Sequence, residues 1–262
     1  MNYYLLIPIR NCPSPFLVKN NIVSLIQVFH SCTGPAFRLP FLLMVRILYS
    51  PADSSLPDSR RGEDILSHLP GATGTRIRAL RNKEDASRSL TAYSLLFQFL
   101  SASPGASPKD LVFVEGPHGK PELTTPDGIC FNCAHSGKWA LCAVSRYPVG
   151  VDIEEISFSF DDSLYAYLHP TEIEYLDGCP VDLRNERFLD IWTVKEAYLK
   201  ALGCGLLRDP ASFAVACSGQ GKIRVEDPCS PPGIIPRIMQ KHDIPGCTAA
   251  ACLLVPGSGS GL

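Results

Sequence analysis

Nowhere in the 262-residue chain do apolar residues run for the ~20 positions that a membrane-spanning helix requires; runs such as Phe41-Leu42-Leu43 are far shorter. No charge of one sign dominates either. The formal net charge is −2, so no global field draws the protein to nucleic acid or to an anionic membrane, and any basic site has to be local. A disulfide framework is also missing. The eleven cysteines are scattered from Cys12 to Cys252, without the density of a small secreted domain. The pair Cys130 and Cys133 lacks the second pair at like spacing that a zinc knuckle needs. On a strand those two thiols point to opposite faces. Buried, reduced cysteines of a cytoplasmic protein are the expectation.

Acidic residues are absent before Asp53. Residues 1–43 carry only Arg10, Lys19 and Arg38 as charges, among scattered prolines. The apolar stretch 3–9 has neither the basic leader nor the small-residue cleavage site of a secretory signal. The pattern changes at Met44, where Val45-Arg46-Ile47-Leu48-Tyr49 reads as an opening strand and Ser50-Pro51-Ala52-Asp53 as a turn. The folded protein is therefore expected to begin near Met44, with residues 1–43 a weakly ordered or non-native extension.

What is present is a globular composition, 45% hydrophobic and 19% charged. Residues 83–101 place Ala86, Leu90, Tyr93, Phe97 and Leu100 at intervals of three and four, which predicts an amphipathic helix. Residues 103–109 end it in a Ser/Pro/Gly loop, and 111–114 read as a strand. Residues 129–133, 139–145 and 149–154 read as strands, the last two joined by a turn at Arg146-Tyr147-Pro148. Residues 161–177 carry helical patterning, with Pro170 in a first turn. A stronger helix spans 187–202 and stops at Gly203-Cys204-Gly205. Strands follow at 212–217, 223–225 and 249–255, and then a Gly/Ser-rich tail, 257–262, expected to be flexible. Short strands interleaved with long helices predict an α+β fold. No repeat is visible by letter, although each half has strands with a long helix.

Four stretches bear chemistry. In Val149-Gly150-Val151-Asp152-Ile153-Glu154, alternation sends Val149, Val151 and Ile153 one way and Gly150, Asp152 and Glu154 the other. The two carboxylates then stand about 6–7 Å apart at Cβ. A wet strand face accounts for them, and so does a hard cation that removes their repulsion. In the 187–202 helix, Trp192, Glu196 and Lys200 fall at i, i+4 and i+8 on one stripe, where Glu196 and Lys200 also read as an ordinary surface pair. Lys195 lies on the edge of the apolar stripe of Phe188, Ile191, Leu199 and Leu202, either snorkelling to water or facing an anion in a cleft. His135, in Phe131-Asn132-Cys133-Ala134-His135-Ser136-Gly137, and the basic run from Arg76 and Arg78 to Arg88 are either solvated or phosphate-facing.

Taken in order, these stretches resemble the 4′-phosphopantetheinyl transferase family, in its two-lobed, surfactin-synthetase-activating type. The resemblance rests on 149–154, on Trp192-Thr193-Val194-Lys195-Glu196-Ala197-Tyr198-Leu199-Lys200-Ala201-Leu202-Gly203-Cys204-Gly205, on Gly119-Lys120-Pro121 ahead of 131–136, and on Lys83-Glu84-Asp85-Ala86-Ser87-Arg88. It spans roughly residues 70–206. It implies a monomer of two similar pseudo-twofold α+β lobes, each a small antiparallel sheet packed with a long helix, here 44–148 and 149–256, the second carrying the metal and catalytic carboxylates. The reaction implied moves phosphopantetheine from coenzyme A to a serine of an apo acyl or peptidyl carrier protein, releasing 3′,5′-ADP. By the resemblance, Asp152, Glu154 and Glu196 hold Mg²⁺. Glu196 also serves as general base, directly or through a metal-bound water, and Lys200 steadies the pyrophosphate with Lys195 nearby. Arg88 and His135 hold the 3′-phosphate, with Arg76 and Arg78 as weaker candidates, and Gly119-Lys120-Pro121 pass the adenine. Where the family usually has Ser before the histidine, this chain has Ala134; the missing hydroxyl contact is lost or supplied by Ser136. Two other readings remain: another Mg²⁺-dependent phosphotransferase or nuclease, which lacks a phosphate loop or basic stripe here, and a catalytically silent carrier-binding module.

Overall fold

The computed structural model describes residues 4–6, 23–29, 43–101, 111–124, 128–157, 161–217 and 223–257. The chain repeats one plan twice. Its first pass runs strand β3 (Leu43–Pro51), helices α1 (Arg60–His68), α2 (Gly71–Arg78) and α3 (Lys83–Ser101), a hairpin of β4 (Val112–Glu115) and β5 (Pro121–Thr124), then β6 (Cys130–Ser136) and β7 (Trp139–Ser145). The second runs β8 (Val149–Glu155), α4 (Pro170–Asp177), α5 (Val181–Leu202), a hairpin of β9 (Ala214–Cys217) and β10 (Ile223–Glu226), then β11 (Ile234–Lys241) and β12 (Cys247–Pro256). In space the strands lie in the order β3-β7-β6 in one half and β8-β12-β11 in the other, all antiparallel. First strand, last strand, last but one: the two halves share one topology. The α+β architecture expected from the pattern is the one observed.

Residues 1–43 hold two short strands, β1 (Tyr4–Leu6) and β2 (Val23–Phe29), which add antiparallel to the outer edge of β3. The rest of that segment, the 103–109 loop and the tail beyond 257 lie outside the described residues.

Strand alternation sorts the side chains into three cores. Val45, Ile47 and Tyr49 of β3 meet Val149, Val151 and Ile153 of β8 between the two sheets. Leu48, Phe131 and Val144 turn the other way, under Leu90, Tyr93 and Phe97 of α3. Ala250, Cys252 and Leu254 of β12 face Phe188, Tyr198 and Leu199 of α5. The layers are therefore helix, sheet, sheet, helix. Each fully buried Leu or Phe contributes about 1.5–3 kcal/mol relative to exposure.

Helix α5 opens after Pro180, carries Asp182 in its first turn and Lys200 in its last, and ends where Gly203 takes φ 79. Both charges oppose the dipole end they sit near, and the left-handed residue suits glycine. The helix starts six residues before the patterned region 187–202, because Pro180 and Asp182 make a starting turn without apolar spacing. Residues 161–177 are two helices. A 3-10 turn, Asp162–Tyr167, is separated from α4 by His169 at φ −69, ψ 147. Pro170 has no N–H to continue the first helix and holds its predecessor extended. His169 and Glu172 then form a capping box for α4.

Gly150 fixes how closely α5 lies on β8. A Cβ there would stand 2.0 Å from the Ala197 carbonyl oxygen and 2.5 Å from the Ala201 amide nitrogen. Gly150→Ala must lift the helix from the strand, and is expected to lower stability by about 1–3 kcal/mol or more. Urea unfolding followed by circular dichroism checks this.

Candidate active site

The face of β8 that carries Gly150, Asp152 and Glu154 is turned to α5, not to water. Asp152 is buried, with 5% of its surface exposed. On α5, Glu196 and Lys200 stand one turn apart. The Lys200 ammonium donates to Asp152 Oδ1 at 2.5 Å and lies 3.8 Å from Glu196 Oε2. One lysine thus joins the strand carboxylate to the helix carboxylate. Asp152 Oδ2 is buried without a hydrogen-bond partner. Glu154 Oε2 accepts from Ser136 Oγ at 3.1 Å, which reaches across from the other half.

Burial governs the charges. It raises the Asp152 carboxyl, against the pull of Lys200. It raises Glu154 to about 7, with Asp152 adding to the shift. Glu196 is raised by burial too, partly offset by Lys200. Burial opposes the Lys200 charge, yet Asp152, Glu196 and Glu154 outweigh it and the net shift is upward. The cluster is an excess of buried acid around one ammonium.

Such a donor set fits a hard divalent cation: oxygen ligands only, one of them without a partner. The acids do not close into a cage. Among the described residues no group of three or more His, Cys, Asp or Glu side chains is arranged to hold a metal by itself. A magnesium ion commonly takes one or two carboxylates and completes its shell with water and substrate phosphate.

Beside Lys200 opens a cavity of about 510 Å³, walled by Arg76 and Tyr93 from the first half, by Gly119, Lys120 and Pro121, and by the 203–207 turn after α5. That volume lies in the range of small-molecule sites. Lys120 Nζ donates to the Lys200 carbonyl at 2.6 Å, and burial pulls its pKa down. His118 takes φ 59 and Gly119 φ 76, two left-handed residues in a row that bend the loop into the cavity wall.

Most of the residues singled out in the sequence meet here, and some do not. Arg76, Lys120 and Pro121 line the cavity. Arg88 and His135 are not among the cavity's lining residues, but they come together: Arg88 donates to the Gly137 carbonyl at 2.9 Å and pairs with Asp85, while His135 Nε2 is 3.2 Å from Ser89 Oγ. Burial and the Arg88 charge lower the His135 pKa. Three expectations are corrected. Arg78 turns away to Glu63 at 3.1 Å, since α2 points it to the outer surface. Lys195 is not beside the pyrophosphate site. Its side chain is 0% exposed, paired with Glu172 at 2.9 Å and donating to the Pro210 and Phe213 carbonyls at 2.8 and 2.7 Å. Ser136 does not replace the hydroxyl missing at Ala134, because its Oγ is engaged by Glu154 and by the Glu155 amide; Ala134 is buried between the sheets.

Comparison with known proteins decides the family. A model described as the 4′-phosphopantetheinyl transferase superfamily matches residues 148–247. A 4′-phosphopantetheinyl transferase of Bacillus subtilis is 31% identical over 153 residues, covering 58% of this chain and 68% of that protein. The chain belongs to the 4′-phosphopantetheinyl transferase superfamily. The transferase Sfp of Bacillus subtilis strain 168 is 28% identical over 195 residues, 74% of this chain and 86% of that one. The transferase pptA of Paxillus involutus is 30% identical over 182 residues, 61% and 68% respectively. The span matched by the family model takes in β8 and α5, and so the acidic cluster. Tyr93, His118 and Asn132 of this transferase were not read from the sequence as site residues, though all three line the cavity. Tyr93 gave the signal of a core helix position, and nothing in the letters around His118 marks its left-handed backbone.

Proposed function

We propose that this transferase moves the 4′-phosphopantetheine arm of coenzyme A onto a serine of an apo acyl or peptidyl carrier protein in the cleft between its halves, with Mg²⁺ held by Asp152, Glu154 and Glu196. The observation that carries the reading is the buried cluster in which Lys200 touches Asp152 at 2.5 Å and lies 3.8 Å from Glu196, with Asp152 Oδ2 left unpartnered. Magnesium bound there supplies charge neutralisation at the diphosphate oxygens. Glu196 takes the proton from the carrier serine. The serine oxygen bonds to the phosphorus that bears the pantetheine arm, and the bond from that phosphorus to the oxygen of 3′,5′-ADP breaks. Lys200 holds the negative charge gathering on the departing group. Lys120, Pro121 and Arg76 bound the nucleoside end, and Arg88 with His135 the 3′-phosphate. Leu206 and Leu207, 59% and 73% exposed beside the cavity, offer an apolar rim for a carrier helix.

No helix among the described residues is long and apolar enough to cross a membrane. We place the enzyme in the cytoplasm, acting as a monomer. Incubation with coenzyme A, Mg²⁺ and a panel of apo carriers, read by intact mass, tests the activity. One added phosphopantetheine per carrier is expected, and an unmodified panel counts against it.

The titration of Glu154 gives a second test. Its carboxyl, raised to about 7, is half protonated at neutral pH, and a metal ligand has to be ionised. Mg²⁺ binding is therefore expected to release protons near pH 7. Its affinity should fall roughly tenfold per pH unit below that point. Calorimetry of Mg²⁺ binding in buffers of different ionisation enthalpy counts the protons.

A further inference from the structure

Strand β8 ends its sheet: β12 pairs with one side, and among the described residues no strand pairs with the other, where β6 lies alongside. The even residues Gly150, Asp152 and Glu154 share one face, and the amides of Val151 and Glu155 point to the open edge. An open edge leaves ladder groups unsatisfied and a strand free to shift. Here both amides are taken by side chains of the other half. Asn132 Oδ1 accepts from the Val151 amide at 2.8 Å, and Ser136 Oγ accepts from the Glu155 amide at 3.1 Å. The acceptors are four apart on β6, and so are the donors on β8. At the same edge Lys120 Nζ lies 3.4 Å from the Val149 carbonyl.

We propose that Asn132 and Ser136 act as a surrogate strand, positioning residues that fix the register of β8 against the first half and so set where Asp152 and Glu154 stand in the cleft. The backbone that carries Asp152 is pinned on both sides of that residue, by Val151 before it and Glu155 after it. Ser136 also donates to Glu154 Oε2 at 3.1 Å, so one hydroxyl holds both the strand and a carboxylate. Between the two tethers, Ala134 offers no polar atom. Its buried methyl packs in the core between the sheets. The tether therefore has two points, both within reach of single substitutions that leave the cores intact. This inference rests on the proposed transfer reaction for its functional half, and on the hydrogen bonds alone for its structural half.

Amide hydrogen exchange of the full chain, with Asn132→Ala, Ser136→Ala and Ser136→Thr beside the wild type, reads the structural half without substrate. Slow exchange at Val151 and Glu155 is expected in the wild type. The Val151 amide should exchange at least ~10-fold faster in Asn132→Ala, and the Glu155 amide likewise in Ser136→Ala, while β12 amides keep their rates. Ser136→Thr, which retains the hydroxyl, should restore protection. In transfer assays kcat should fall by about 10–100-fold in both alanine variants, as expected for carboxylates displaced by a fraction of an ångström to an ångström. In Ser136→Ala the KM for coenzyme A should stay within ~2-fold, since Ser136, unlike Asn132, is not part of the cavity wall. Unchanged exchange at both amides overturns the tether. Faster exchange with unchanged kcat overturns its positioning role. A wild type that modifies no carrier sinks the proposed reaction, while the exchange data still judge the tether. If Asn132→Ala does not fold, Ser136→Ala and its threonine rescue carry the same comparison.

Discussion

Glu196→Gln is expected to cut carrier modification by about 10²–10⁴-fold, the range of a lost general acid–base group, with the fold intact. Gln preserves the size and hydrogen-bonding capacity of the side chain but neither takes a proton nor offers a charged ligand. Two roles fall together at this residue in the proposed mechanism, so the loss should sit at the upper end of that range. The neighbours argue the same way. Removing the Glu196 charge leaves Lys200 paired with Asp152 at 2.5 Å, which preserves the strand-to-helix link and hence the packing of α5 on β8. Circular dichroism and urea unfolding should match the wild type within about 1 kcal/mol, because the substituted carboxyl is already shifted toward its neutral form by burial. Intact-mass kinetics give the rate, and calorimetry gives coenzyme A affinity. A variant with undiminished turnover removes Glu196 from the chemistry.

Lys195→Met is expected to destabilise the protein by about 3–5 kcal/mol, the cost of breaking one partner from a buried ion pair. Two other elements meet α5 at this ammonium. Glu172, at 2.9 Å, belongs to α4, and the Pro210 and Phe213 carbonyls belong to the segment ahead of β9. The ring of Phe213 lies 4.4 Å below it. Glu172 is itself held by the amides of His169 and Val215 at 2.8 and 2.6 Å. Methionine would fill the space but leave that carboxylate charged and without its cation. Lys195→Met/Glu172→Gln should recover much of the loss, since the amide keeps an acceptor without a buried charge. Urea unfolding of the four proteins measures the coupling. Folded Lys195→Met should bind coenzyme A as the wild type does. Wild-type stability together with lost coenzyme A affinity would return Lys195 to the cofactor site.

That lysine also shows where sequence reading stops. The 3.6-residue period placed Lys195 on the edge of an apolar stripe, which is correct. The choice between snorkelling, a cleft anion and an internal ion pair depended on Glu172, which only the packing of α4 against α5 brings to it. The acidic strand was more legible, because alternation on β8 is strict and the face of Asp152 follows from counting. The identity of the layer that face meets did not follow from counting, and a wet face was the competing reading until α5 covered it. Strand β11 was not legible at all. Pro231 and Pro232 lead into it and Pro236 interrupts it, which argues against a strand anywhere except at a sheet edge, and the edge is where it lies. Helices α1 and α2 escaped for a related reason: they are short, and the eye for charge read the end of α2 as part of a basic cluster. In that cluster Arg76 reaches the cavity and Arg78 reaches Glu63, a division that two positions on a helix make by geometry and that composition cannot express. Asn132 was quoted only as a letter in a motif. Its task is to accept from a backbone amide in the other half, and no local pattern encodes a partner of that kind.

The account turns on one divalent ion at the junction of β8 and α5. A crystal of the protein with coenzyme A and Mn²⁺ in place of Mg²⁺, measured at the manganese edge, locates that ion directly. The expected result is one anomalous peak bonded to carboxylate oxygens of the Asp152, Glu154 and Glu196 cluster and to the diphosphate, with the Lys200 ammonium on the same diphosphate. Coenzyme A bound in the cavity with no manganese at those carboxylates, or manganese bound elsewhere, would contradict it.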